Sequence, residues 1–410
     1  MTSELYSNFT FPCGLTVKNR IAKAAMEENM ADAEGLPSDI LLGLYKRWAL
    51  GGAGLLITGN VMIDGLAMTG PGGVVLDESS NIAPFRRWAE LAQQNNTKAL
   101  MQINHPGRQV FAALHGKAVG PSDVAVDLGK RSNMLAQPKA LTESEILEII
   151  QRFATTARRA EEAGFAGVQI HAAHGYLLSQ FLSPISNTRA DQWGGSIENR
   201  SRMLLEVVRA VRKAVSSAFA VSVKLNSADF QRGGFSEEDA HYVVEQLNHE
   251  SIDLVELSGG SYESPAMQGR TADGRTLARE AYFLEFAEQL AQVATMPLMT
   301  TGGIRRKAVA EDVLSAGVDI VGMATALALN PDLPELWKRH PETTVKVPAP
   351  NFSDKEISAL ATMAIVRRQL RRLGHGKLPR QRPSALYSLI TDRIRFSRMA
   401  KRYNQRISAG

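Results

Sequence analysis

Eight short runs rich in β-branched and apolar residues recur between residues 20 and 324, separated by longer stretches, most of them with apolar residues at helical spacing. The runs are RIAKAAM (20–26), AGLLITG (53–59), KALMQIN (98–104), FAGVQIH (165–171), AVSVKLN (220–226), IDLVELS (252–258), PLMTTGG (297–303) and VDIVGMA (318–324). Helical periodicity covers residues 38–49, 83–95, 142–164, 196–215 and 236–250. Thr142 with Glu145 and Ser236 with Asp239 give the Ser/Thr-x-x-acid pattern in which two side chains satisfy orphan amides at a helix start. Parallel strands need crossovers of this length, so eight consecutive units predict a closed α/β (β/α)8 barrel. A doubly wound open sheet is the alternative.

A barrel of about 250 residues can absorb most of a 410-residue chain as one domain. The expected division is a barrel over 1–345 and a basic helical extension over 346–410. Within the extension, residues 357–374 and 384–405 read as helices broken by GHGKLPRQRP. From Val366 onward 13 basic residues face Asp392 alone, a net +12, which leaves −7 for the rest of a chain whose total is +5. Packing of this tail on the acidic barrel or on a neighbouring subunit is the expected role. The lesser alternatives are an anionic membrane surface and nucleic acid. Arg367, Arg368, Arg371 and Arg372 mark the first tail helix as basic, and Leu386, Leu389, Ile390, Ile394 and Phe396 suggest an apolar face for the second.

No apolar run reaches about 18 residues and the first residues lack the basic-then-apolar layout of a signal peptide, so a cytoplasmic protein is expected. A single cysteine, Cys13, cannot supply an internal disulfide or an iron–sulfur ligand set. Redox chemistry in this chain therefore calls for an organic cofactor.

The densest chemical signal is His171-Ala-Ala-His174-Gly-Tyr176, directly after the fourth strand run, where a barrel places its active site. Two imidazoles three apart can donate to one carbonyl oxygen while a phenol supplies a proton. No carboxylate or cysteine nearby completes a metal-ligand set. Thr300-Thr301-Gly302-Gly303-Ile304 after run seven and Val321-Gly322-Met323-Ala324-Thr325 after run eight occupy the phosphate-binding position of many barrels. Gln102, Lys224 and Glu27 sit at or near strand ends, and a lysine between Val and Leu needs an inward partner: an anionic cofactor edge, or an acid such as Glu27. Residues 105–140 form a long insertion on the same rim.

These residues resemble the old yellow enzyme family of FMN-dependent NAD(P)H oxidoreductases and ene-reductases, in its single-domain form without an iron–sulfur segment. The stretch HAAHGYLLSQFLSPISNTRADQWGGSIENRSRMLLEVV carries the resemblance, with LTVKNRI, MQINHPGRQ and the GGI and GMA segments in order from about residue 8 to 340. The resemblance implies FMN at the barrel's C-terminal rim, NADH or NADPH as reductant, a small enone-like substrate, and a homo-oligomer. It implies that His171 and His174 bind the substrate carbonyl and that Tyr176 protonates the α-carbon. It further assigns Ala25, Met26, Glu27, Asn60, Gln102 and Lys224 to the flavin ring, and Gly302, Gly303, Ala324 and Thr325 to its phosphate.

Two positions depart from the family pattern. Ala25-Met26-Glu27 stands where Pro, an apolar residue and Thr or Cys are usual. An ionised Glu27 about 5 Å from the reduced ring would be repelled by roughly 3 kcal/mol at an effective dielectric near 20, lowering the potential by up to about 70 mV unless the acid is protonated or paired. Thr325 replaces a frequent phosphate-binding arginine, which leaves backbone amides or Arg305 and Arg306 to hold the phosphate. A flavin dehydrogenase acting on an amine, alcohol or cyclic substrate, and an RNA-binding FMN protein using the basic tail, are the competing functions.

Overall fold

The computed structural model describes residues 3–266 and 280–409. Its barrel strands are β1 (Ile21–Lys23), β2 (Leu55–Ile57), β3 (Lys98–Asn104), β4 (Gly167–Ala172), β5 (Ala220–Asn226), β6 (Leu254–Ser258), β7 (Leu298–Thr300) and β8 (Ile320–Met323). Each lies within one of the eight sequence runs except for Ala172, one residue past the fourth. All neighbouring pairs are parallel, β8 pairs with β1, and β3 pairs with β4 through Gln102 opposite Gln169. The circle is therefore closed, and the open-sheet alternative falls.

The helices packed around it include α1 (Asp39–Ala49), α2 (Ala83–Ala92), α3 (Glu143–Glu162), α4 (Leu177–Leu182), α5 (Ile197–Ala214), α6 (Glu237–Leu247), α7 (Leu284–Leu290), α8 (Lys307–Ser315), α9 (Thr325–Leu329) and α10 (Leu333–Arg339). Both expected capping boxes form at the starts of α3 and α6. The interior of the barrel is apolar at its base, where Leu55, Leu100, Leu254 and Ile320 are buried with Ala22 and Ala220. Higher up it turns polar, which already separates a packed floor from a rim that can do chemistry.

The tail forms α11 (Lys355–Gly374) and α12 (Ala385–Ala409), and both pack on this chain's own barrel. Helix α11 lies on α1 at close range because Gly43 and Gly374 face each other, where a Cβ on Gly374 would run into the Ile40 carbonyl. Ile365, Leu370 and Leu373 are buried there. Helix α12 covers the loops after β1 and β2: Arg395 Nη2 donates to the Asn29 carbonyl at 3.1 Å and Tyr403 Oη to the Gly65 carbonyl at 3.1 Å. The apolar face expected for this helix is only partly the packed one. Phe396 stacks edge-on against Phe111 at 5.4 Å, but Leu386, Ile390 and Ile394 point to solvent. The packed face combines apolar contacts, with Phe396, Ala400, Tyr403 and Ile407 against Met62, Met68, Val75 and Leu114, and donors to loop carbonyls.

His105, just beyond β3, is buried with Nδ1 accepting from the Gly107 N–H at 3.0 Å, and burial pulls its pKa down to about 4. The unfolded chain binds this proton below about pH 6.5 and the folded chain only below about pH 4, so stability is full above 6.5 and is lost as pH falls between those values. The expected contribution is roughly 3 kcal/mol. Urea denaturation of His105→Gln should show a shallower acid limb than the parent across pH 6.5 to 4, and parallel limbs would refute this.

Candidate active site

The turn after β4 is shaped by two consecutive left-handed residues, His174 (φ +61°) and Gly175 (φ +72°). A Cβ at Gly175 would lie 2.9 Å from Gln109 Oε1 and 2.9 Å from Ser261 Cβ, so only glycine fits. This reversal brings His171, His174 and Tyr176 together. The His171 ring is 5.0 Å from that of His174 and 4.9 Å from that of Tyr176. His171 Nδ1 accepts from the Ala173 N–H at 3.3 Å, which leaves Nε2 as its N–H donor in the neutral ring. His174 is held by Asn226 Oδ1 at its backbone N–H (3.1 Å) and by Ser258 Oγ at Nε2 (2.7 Å).

Burial, and then the charge of Lys224, depress both imidazoles well below their usual range, so at neutral pH each is uncharged and keeps one N–H. Burial raises the Tyr176 phenol, with Tyr262 and Glu27 adding to the effect. Asn60 reaches the same hydroxyl. A neutral phenol that resists ionisation is a proton donor held in reserve.

Deeper in the barrel a buried chain of polar groups crosses four strands. Gln102 Nε2 donates to Gln169 Oε1 (2.7 Å), Gln169 Nε2 to Glu256 Oε2 (2.8 Å), and Lys224 Nζ to Glu256 Oε1 (2.8 Å). The partner of Lys224 is thus Glu256, directly opposite it in the β5–β6 register, and not Glu27. A second buried pair lies beside it: Lys23 Nζ meets Glu28 Oε1 at 3.4 Å, the Tyr45 hydroxyl at 3.2 Å and the Ile57 carbonyl at 2.8 Å. Burial lowers the Lys23 pKa to about 8 against the pull of Glu28.

Glu27 follows β1 and its Oε1 accepts from the Thr69 hydroxyl at 2.6 Å. The guanidinium of Arg367 on α11, bonded to Asp392 at 2.9 Å, is close enough for Glu27 and Asp392 to hold its charge in place. Glu27 therefore has a cationic neighbour supplied by the tail, which shrinks the repulsion expected for a lone carboxylate. Ala25 and Met26 are half-buried between β1 and Glu27.

Gly302 (φ +123°) and Gly303 (φ +73°) follow β7, and Ala324 caps α9 without a side-chain acceptor at the end of the adjacent β8. First-turn amides of α9, starting with Thr325, so have no side-chain cap. The ring of Tyr282 lies against both glycines, where a Cβ would displace it. Arg305 and Arg306 do not stand free beside this cradle: their Nε atoms bond Glu280 Oε1 at 3.1 and 2.9 Å, and their backbone amides bond its other oxygen. The donors left free for a phosphate here would be backbone amides and the Thr325 hydroxyl. Together with the neutral donors of the rim and the buried Lys224–Glu256 pair deeper in the barrel, this set fits an anionic flavin nucleotide.

The family profile of NADH:flavin oxidoreductases and NADH oxidases matches residues 4–343. The chain belongs to this family. It is an FMN-dependent oxidoreductase, as other members are. The NADH-dependent flavin oxidoreductase iliE of Hypocrea jecorina is 37% identical over 359 residues, covering 81% of this chain and 89% of the relative. A solved structure of 2-naphthoyl-CoA reductase with 2-naphthoyl-CoA has a TM-score of 0.75 at 27% identity, over 82% of this chain and 52% of that longer one. An old yellow enzyme homologue from Zymomonas mobilis shares the fold with a TM-score of 0.71 at 24% identity, over 84% and 95% of the two chains. Within the family's rim the sequence singled out His171, His174, Tyr176, Gln102, Lys224 and Glu27. It missed Glu256, Gln169, Thr69 and Tyr262, although an acid flanked by Val and Leu inside the run IDLVELS was a visible cue for Glu256.

Among the described residues no helix is long and apolar enough to cross a membrane.

Proposed function

We propose that this flavoenzyme reduces the C=C bond of a small α,β-unsaturated carbonyl compound, with NADH as reductant. The observation that carries the reading is the pair of imidazoles, His171 buried and His174 half-buried, 5.0 Å apart and held uncharged beside the buried Tyr176 phenol. Gln102, Lys224, Ala25, Met26, Glu27 and Asn60 would hold the flavin ring and Gly302, Gly303, Ala324 and Thr325 its phosphate, and FMN held there would supply the hydride. His171 and His174 each offer one N–H to the substrate's carbonyl oxygen. This polarises the double bond and stabilises the negative charge that gathers on oxygen as the β-carbon accepts the hydride. Tyr176 then delivers its hydroxyl proton to the α-carbon. The Lys224–Glu256 pair holds a buried cation in one orientation, where it would stabilise negative charge on a bound flavin. The relatives' names, which specify NADH, support that reductant.

An anaerobic absorbance spectrum of the purified holoenzyme tests this. A flavin band that bleaches with NADH and returns on adding 2-cyclohexenone is the expected result. A band that bleaches with NADH and stays bleached with a panel of enones would overturn the proposed substrate class, and bleaching by an amine or alcohol without NADH would establish the dehydrogenase reading.

A further inference from the structure

Tyr262 has no role in the chemistry so far described, yet its hydroxyl oxygen lies 3.2 Å from that of Tyr176 and the two rings meet edge-on at 6.0 Å. The turn that carries it, after β6, is braced on several sides. Gly260 is left-handed (φ +86°) with no room for a Cβ, the Ser261 N–H donates to the Ser264 carbonyl at 2.9 Å, and Ser261 Oγ accepts from the Glu263 N–H at 3.2 Å. Glu263 is anchored in turn by Arg108 Nη2 at 2.6 Å, an ion pair with 6% and 9% of its side chains exposed, and by the Asp127 N–H at 2.8 Å. This turn touches the His-Ala-Ala-His-Gly-Tyr turn where Ser261 meets Gly175. Two rigid loops from neighbouring parts of the rim thus hold two phenols oxygen to oxygen. Glu27 and the tail's Arg367 are near enough to act electrostatically on Tyr262.

We propose that Tyr262 is the proton-relay partner of Tyr176: its O–H donates to the Tyr176 oxygen as that oxygen gives its own proton to substrate carbon. The inference rests on the reading of Tyr176 as proton donor. A phenolate left in a buried site is costly, and a donor aimed at its oxygen stabilises the charge as it forms. When the transfer goes to completion, the proton moves from Tyr262 to Tyr176, and Tyr262 is restored from solvent. One proton from water then enters per C=C bond reduced, and no further oxidant or reductant takes part. Tyr262 acts through Tyr176 and so is a positioning residue, not one that touches substrate.

The test is rapid-mixing reoxidation of NADH-reduced holoenzyme by 2-cyclohexenone in the parent, Tyr262→Phe, Tyr176→Phe and the double variant, in H2O and in D2O. Tyr262→Phe should reoxidise on the order of 10- to 100-fold more slowly, a smaller loss than that of a direct acid because the donor acts at one remove. Bleaching by NADH should be unchanged, the solvent isotope effect on reoxidation should rise, and the double variant should be no slower than Tyr176→Phe alone. Tyr262→His, which restores a ring donor, should recover part of the rate. A merely structural role would leave the isotope effect unmoved and make the two losses multiply. The inference is overturned if Tyr262→Phe reoxidises at the parent rate while Tyr176→Phe is slow, or if the losses multiply. If Tyr176→Phe itself reoxidises at the parent rate, the donor assignment falls and the relay with it.

Discussion

Replacing Tyr176 with phenylalanine should slow reoxidation of the reduced enzyme by an enone by 10²- to 10⁴-fold, the range for removing a positioned general acid, equivalent to about 3–5 kcal/mol of barrier. The loss should fall on one half-reaction only. Hydride transfer from NADH needs no proton from this hydroxyl, so bleaching should proceed at the parent rate. The ring itself keeps its contacts with His171 and Tyr262, so the thermal midpoint should move little. Stopped-flow absorbance separates the two steps. Equal slowing of both would mean that the substitution had disturbed the flavin site, and no slowing of either would remove Tyr176 from the chemistry.

A comparable effect on folding is expected from Glu256→Ala. The change leaves the Lys224 ammonium buried without a counter-charge and deprives Gln169 of its acceptor, and breaking such a pair costs about 3–5 kcal/mol. Urea unfolding should show the midpoint falling with the slope unchanged. The double replacement Lys224→Met with Glu256→Leu removes both charges and should be the more stable of the two variants while losing flavin affinity. A Glu256→Ala midpoint equal to the parent's would mean that water reaches Lys224.

The barrel was legible because its information is local. Each strand is a short apolar run, and the capping boxes at Thr142 and Ser236 mark helix starts within four residues. The His-Ala-Ala-His-Gly-Tyr turn was legible for the same reason, since one glycine and three functional side chains lie within six positions. What escaped reading depends on pairings that no window contains. Glu256 matters because the sheet register sets it opposite Lys224. Tyr262 sits in a Ser/Gly turn and gains meaning only when that turn meets Gly175. Arg367 is one of 13 basic tail residues, and only the docking of α11 beside Glu27 distinguishes it. The apolar face expected on α12 was read only in part: Phe396 packs, but Leu386, Ile390 and Ile394 face solvent, and the contacts are completed by Ala400, Tyr403 and Ile407 and by donors to the carbonyls of Asn29, Gly65 and Ala113.

The bonds that fasten α12 to the rim join residues 338 and 366 positions apart in the chain. Closing so long a loop costs entropy before any contact can compensate, and the surface that receives the tail does not exist until β1 and β2 have found their neighbours. The outer wall of the catalytic rim is thus supplied by the part of the chain most distant from it, so detaching α12 would bare the loops at Asn29 and Gly65 without breaking any strand pairing of the barrel.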